Sequence, residues 1–174
     1  MYFLNKGVNM GLKAIEIIED AGLNINELIS KLQSAYADEC LAFIQYWEGS
    51  KVAIGVMREA LCKEMDEHTA EEQNHANLLA KRIIELGGSL PVGPQEWLKR
   101  STCGYDAPTD SDIRTLLEQN LISERCAIET YKRLAEFVRG KDDITYKLAV
   151  KILEEELEHE QDLETIKEDM TAGV

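Results

Sequence analysis

Three histidines occur in this chain of 174 residues, and two of them, His75 and His159, stand three residues after a glutamate, Glu72 and Glu156. At that spacing a carboxylate and an imidazole share one face of a helix, about one turn apart, and can offer an oxygen and a nitrogen to one cation. Glutamate is so abundant here that Glu-x-x-His carries little weight alone, and the run EEELEHE also reads as an ordinary acidic surface, with Glu155 near the same seam. The surroundings decide. Stepped at helical spacing, the apolar face runs Leu148, Ile152, Leu163 and Ile166, and Glu156 and His159 fill its gap.

Three further segments repeat this anomaly. Glu39 interrupts the stripe Leu28, Leu32, Ala35, Phe43 and Tyr46. Glu72 and His75 interrupt Leu61, Met65, His68, Leu79, Ile83 and Leu86, and Glu124 interrupts Ile113, Leu117, Leu121, Ile128, Tyr131 and Ala135. A buried, unpaired carboxylate costs several kcal/mol out of the roughly 5–15 kcal/mol that holds a domain together. Two divalent cations would compensate four such groups. Carboxylates with one imidazole per metal suit iron or manganese better than zinc, which prefers fewer and softer ligands.

The elements that must position these residues are helices predicted near 24–53, 57–86, 110–139 and 143–169. They are punctuated by Gly55, by GGSLPVGP and by Gly140. LKAIEIIED forms a weak amphipathic piece before them, and PQEWLKR a short helix in the longer connection. Asp110 and Ser111 read as the N-cap of the third long helix, with Asp112 favourable near its dipole. Short turns imply two antiparallel pairs joined by a long crossover connection: an all-α four-helix bundle. The expectation is one domain over 1–174, with a bundle core over about 24–170 and an N-terminal extension over 1–23. Heights within each pair agree, because Glu39 and Glu72 are centred beside Gly55, and Glu124 and Glu156 on Gly140. Each glutamate lies about 24 Å from its turn at about 1.5 Å per residue, so docked hairpins bring four carboxylates and two imidazoles together.

Composition excludes several functions. With 33 acidic against 19 basic residues the formal charge is −14, and Lys6 and Lys13 are the bases of the first 30 residues, so direct nucleic-acid binding is not expected. No signal peptide and no membrane span is expected, which suggests a soluble, cytoplasmic protein. Cys40, Cys62, Cys103 and Cys126 form no C-x-x-C, so buried thiols are their default reading.

Taken together, Glu39, Glu72-x-x-His75, Glu124 and Glu156-x-x-His159 resemble the di-iron carboxylate pattern of the ferritin-like superfamily in its bacterioferritin-type form, over about 30–170. The resemblance implies that Glu39 and His75 serve one metal, Glu124 and His159 the other, and that Glu72 and Glu156 bridge them. Tyr46 and Tyr131 would donate hydrogen bonds to the carboxylates, against an almost equal expectation of plain core packing. Gln73 occupies the place of bacterioferritin's haem methionine, so no haem is expected. No fifth helix is expected after the bundle, and the cysteine pairs of rubrerythrins are lacking.

CGYDAPTD and SERCAIETY resemble the cysteine segments of the Dps-like, or thioferritin, branch. That branch implies a dodecameric homo-oligomeric shell that oxidises Fe(II), preferably with hydrogen peroxide, and stores the ferric product against oxidative stress. It also implies a redox-active disulfide between Cys103 and Cys126, with Cys40 and Cys62 left as thiols. Cys126 is rotated about 200° from Glu124 around its helix, away from the metals. Glu64, Glu67 and Glu71 share a helix face that could line an acidic cavity, or simply meet solvent. Manganese catalase-like dismutation of peroxide and a non-enzymatic metal-buffering bundle remain the alternatives.

Overall fold

Asn24 sets where the first long helix begins. Its side chain accepts hydrogen bonds from the backbone N–H groups of Asn26 (2.9 Å) and Glu27 (3.1 Å), donors that a first helical turn leaves free. The computed structural model describes residues 12–172. Its helices are α1 (Leu12–Asp20), α2 (Ile25–Val52), α3 (Arg58–Glu85), α4 (Pro94–Arg100), α5 (Ile113–Val138) and α6 (Asp143–Ala172). LKAIEIIED and PQEWLKR are α1 and α4. The first part of the expected N-terminal extension, residues 1–11, lies outside the described residues. Among the described residues no helix is long and apolar enough to cross a membrane.

α2 pairs with α3, and α5 with α6, as two antiparallel hairpins. Both turn glycines adopt positive φ, 143° at Gly55 and 71° at Gly140, where a side chain would strain the backbone. At Gly55 an added Cβ would also meet the Ile113 side chain at 3.0 Å.

The long connection climbs beside α2. Gln33 donates to Ser89 O and accepts from Arg100, Asp38 receives Ser101, Thr102 and Cys103, and Gln45 accepts from Asp106 N. At the top, Ile54 N donates to Ser111 O (2.7 Å) and Ile113 N to Ile54 O (3.2 Å). That bridge delays the third long helix. It begins at Ile113 rather than 110, and its N-cap is Asp112, whose side chain accepts from Arg114 N, instead of Asp110 or Ser111. Asp110 folds back on Asp112 N and Thr115. α6 runs to Ala172, a little past the expected end.

The apolar interior is split in two. One cluster gathers Leu28, Leu32, Leu79, Ile83, Leu134 and Ile152, and the other Leu61, Met65, Leu117, Leu121 and Leu163. The inward polar residues occupy the layer between. Leu148, Phe43 and Ile128 lie only partly inside, and Ala149, Leu41 and Thr145 are buried.

Candidate metal centre

All six residues read from the interrupted stripes lie together. Glu39, Glu72, His75, Glu124, Glu156 and His159 are each no more than 2% exposed. They form two overlapping donor sets, Glu39–Glu72–His75–Glu156 and Glu72–Glu124–Glu156–His159, each with one donor atom per residue inside a 4.8 Å span. Glu72 and Glu156, level on α3 and α6, belong to both. His75 Nδ1 lies 3.3 Å from Glu39, 3.2 Å from Glu72 and 3.1 Å from Glu156. His159 Nδ1 lies 3.4 Å from Glu72, 3.7 Å from Glu124 and 3.8 Å from Glu156.

Neighbouring side chains hold this set in place. Tyr46, on the helix of Glu39, donates to Glu124, and Tyr131, on the helix of Glu124, donates to Glu39. Burial, then the charge of Glu124 beside Tyr46 and of Glu39 beside Tyr131, raises both phenols well above their usual range, so each keeps its proton. The outer nitrogens of the imidazoles are crossed too: His75 Nε2 meets Glu155 at 3.1 Å and His159 Nε2 meets Glu71 at 2.8 Å. Lys151 in turn pairs with Glu155 at 2.6 Å. A carboxylate on one ring nitrogen directs the lone pair of the other toward a metal.

Charge is compensated by protons where no cation does so. Burial, then the charge of Glu72, raises Glu39 and Glu156 well above the carboxylate range. Burial also works against the Glu72 carboxylate, but the close approach of His159, His75 and Glu39 outweighs it and holds Glu72 low. Burial opposes the charged imidazoles as well, yet the carboxylates around them win and raise His75 and His159, the latter to about 12. One Oε of Glu39, one of Glu124, both of Glu156 and Nδ1 of His159 are buried without a hydrogen-bond partner. Orphaned oxygens beside imidazole nitrogens are the donor chemistry of a cation, and this set suits a pair of iron or manganese ions.

Cys103 and Cys126 are joined by a disulfide with alpha carbons 5.6 Å apart, and Cys40 and Cys62 are free. Cys103 is brought there by Asp38, which accepts from Ser101 Oγ (2.5 Å), Thr102 N (2.8 Å), Thr102 Oγ1 (2.9 Å) and Cys103 N (3.0 Å). A cavity of about 10 Å³, room for roughly one water, is lined by Cys103 together with Glu39, Glu72, Glu124 and Glu156.

Asp38, Glu71 and Glu155 were not legible as parts of the site. Asp38 and Glu71 each directly precede a glutamate of the seam, and Glu155 does so on α6, which was the available signal. Glu64, Glu67 and Glu71, read as one acidic face, part ways: Glu71 reaches His159, Glu67 pairs with Lys63 at 2.9 Å, and Glu64 turns toward His68. His68 is buried in the seam as expected, and burial and then His159 push it down to about 3, so it is neutral.

Residues 29–172 match the ferritin-like domain family. A "DNA protection during starvation protein" of Pyrococcus furiosus is 35% identical over 146 residues, 83% of this chain and 78% of the relative. The solved structure of a dodecameric thioferritin, the bacterioferritin-related protein of Bacteroides fragilis, superposes with a TM-score of 0.90 at 43% identity, covering 92% of this chain and 95% of that one. Dps of Vibrio cholerae, described as one of the ferritin-like diiron-carboxylate proteins, shares the fold at 15% identity and a TM-score of 0.76, over 81% and 89% of the two chains. With its four-helix bundle and the polar layer across it, the chain belongs to the ferritin-like domain family, in the Dps-like branch that includes the thioferritins.

Proposed function

We propose that the protein is a ferroxidase and iron-storage mini-ferritin. Its substrate is Fe(II), its oxidant hydrogen peroxide, and removing both together protects against oxidative damage. Glu39 and His75 hold one iron, Glu124 and His159 the second, and Glu72 and Glu156 contact both. The observation that carries this reading is the pair of donor sets sharing those two glutamates, with unpartnered oxygens buried among them. Such a pair supplies two-electron chemistry, because each Fe(II) gives up one electron to a two-electron oxidant. The chain's own part is to bind, to orient and to release protons: Glu39, Glu156 and the imidazoles give up theirs as cations bind. Manganese fits the same donors.

A dodecameric shell with a mineral-holding interior belongs to the same reading. It is supported by the 43% identity and 0.90 TM-score to a thioferritin described as dodecameric. The place of action proposed is the cytoplasm, which cell fractionation checks.

Anaerobic Fe(II) titration followed by peroxide tests the assignment. The wild type is expected to bind two Fe(II) per subunit at the centre and oxidise both. Glu72→Ala removes a ligand common to both sets. Outer partners alone change metal affinity or activity about 10–100-fold, so fast oxidation should fall by more than about 100-fold while the shell still assembles. Wild-type rates in that variant would overturn the ligand assignment. Peroxide consumed without net iron oxidation would favour manganese catalase-like dismutation, and binding without turnover a metal buffer.

A further inference from the structure

His68 is not used by the centre as described. It is 1% exposed, and both its ring nitrogens lack a hydrogen-bond partner. The ring stacks on His159 with centroids 4.0 Å apart and meets Tyr46 edge-on at 5.1 Å. Nε2 faces Glu64 Oε1 at 3.5 Å, a contact without a hydrogen bond. Asp162, one turn beyond His159 on α6, completes a group in which one donor atom each of Glu64, His68 and Asp162 lies within a 4.8 Å span. A buried imidazole with no partner is costly, so its retention here needs a cause.

Packing does not supply that cause. The two hairpins match around the centre: Glu39 with Glu124, Tyr46 with Tyr131, Glu71 with Glu155, Glu72 with Glu156, His75 with His159. Counted from these anchors, Glu64 and His68, eight and four residues before Glu72, correspond to Leu148 and Ile152 before Glu156. Asp162, three residues after His159, corresponds to Leu78 after His75. Ile152 is fully buried in the apolar core, so the fold fills the equivalent place with hydrocarbon. All three polar residues therefore depart from the two-fold pattern, and they do so on one side only.

We propose that Glu64, His68 and Asp162 form a third cation site, for a divalent transition metal such as Fe(II), beside the His159 half of the centre. Two carboxylates and a neutral imidazole match the charge and the donor preference of such an ion. Among the described residues neither carboxylate forms a salt bridge with a lysine or arginine. Burial, then the charges of Asp162 and Glu67, holds the Glu64 carboxyl above its usual range. Asp162 is exposed and Glu64 half-buried, so the site opens to solvent on one side and touches His159 through the stacked ring on the other. Iron held there stands between solvent and one half of the centre, a staging position for ions passing in or out.

Co(II), titrated without oxygen and located by anomalous diffraction, tests this. The wild type should bind three Co(II) per subunit, the third peak lying among Glu64 Oε, His68 Nε2 and Asp162 Oδ. The double variant Glu64→Gln, Asp162→Asn changes only partly exposed residues and should bind two. His68→Leu, which copies the hydrocarbon of the other half, should also bind two. The third peak should persist in Glu72→Ala, so loss of the centre and loss of this site are told apart. Two ions in the saturated wild type, a third peak instead among His68, Glu124 and His159, whose donor atoms also lie within a 4.8 Å span, or an unchanged count in the double variant would each overturn the proposal.

Discussion

Tyr131 and Tyr46 exchange partners across the bundle, each donating to the glutamate of the opposite hairpin, so each phenol ties one half of the centre to the helix of the other. Tyr131→Phe removes the donor to Glu39 and leaves a buried oxygen unpaired, a cost of about 1–3 kcal/mol. Metal affinity in the Glu39 half should drop about 10–100-fold while the Glu124 half changes little. Tyr46→Phe should do the reverse, and calorimetric titration of both variants with Co(II) would show it. At the disulfide, the cavity shared by Cys103 and the four carboxylates suggests that the pair responds to the same oxidant. One hydrogen peroxide and two thiols yield the disulfide and two waters, so peroxide added to the reduced protein should convert Cys103 and Cys126, while Cys40 and Cys62 stay free. Mass spectrometry of alkylated peptides checks this, and both thiols of the pair remaining free would end the redox reading.

At the scale of the elements, Asp142 joins the two hairpins far from the metal layer. It accepts from Ile144 N and Thr145 N, both at 3.1 Å, capping the first turn of α6. It also takes Arg82 Nη2 of α3 at 2.8 Å, while Arg82 Nε reaches Thr145. Burial opposes the Asp142 charge, but the Thr145 hydroxyl and Arg82 outweigh it and hold the carboxyl below its ordinary value. A depressed folded-state pKa adds stability that is present above the unfolded value, about 3.9, and is lost as pH falls through the folded one. Asp142→Asn should therefore destabilise the protein by about 3 kcal/mol at neutral pH, near the lower end for a broken buried pair because Arg82 keeps Glu85 at 3.3 Å. It should also flatten the loss of stability below about pH 4. Urea unfolding at several pH values measures both. The hairpins themselves were legible, since 3.6-residue periodicity and turn glycines at 55 and 140 are local signals. The start of α5 was not, because Ile54, distant in sequence, captures Ser111 and Ile113 and moves the cap to Asp112.

For the whole molecule, charge and assembly act together. Each subunit carries a formal −14, and the proposed closed shell would multiply it. Val56 and Val92 are more than 80% exposed and Trp47 is 50% exposed on the isolated subunit, apolar area that an assembly could cover. Light scattering at physiological salt should give the mass of twelve subunits, and a dimer or a 24-mer would reject the proposed shell. No retardation of duplex DNA is expected at that salt without divalent metal, because phosphate contacts need clustered lysine and arginine. A shifted band would contradict this.

Sequence by itself determined which side chain each helix turns inward. Apolar periodicity sets the angle of a residue about its own axis, so Glu39, Glu72, His75, Glu124, Glu156 and His159 could be read as inward residues, and the turns put them at one height. Periodicity says nothing about what waits across the interface. Only tertiary structure decided that the tyrosines serve the opposite glutamates, that Glu71 and Glu155 cross to the far imidazoles, and that Asp38 draws the connection in until Cys103 borders the carboxylates. His68 belongs with them. On its own helix it is one more seam position, and its two unpartnered nitrogens emerge only once α6 brings His159 and Asp162 against it. These partners are distant in the chain, and their meeting depends on how two hairpins dock, which no local repeat encodes.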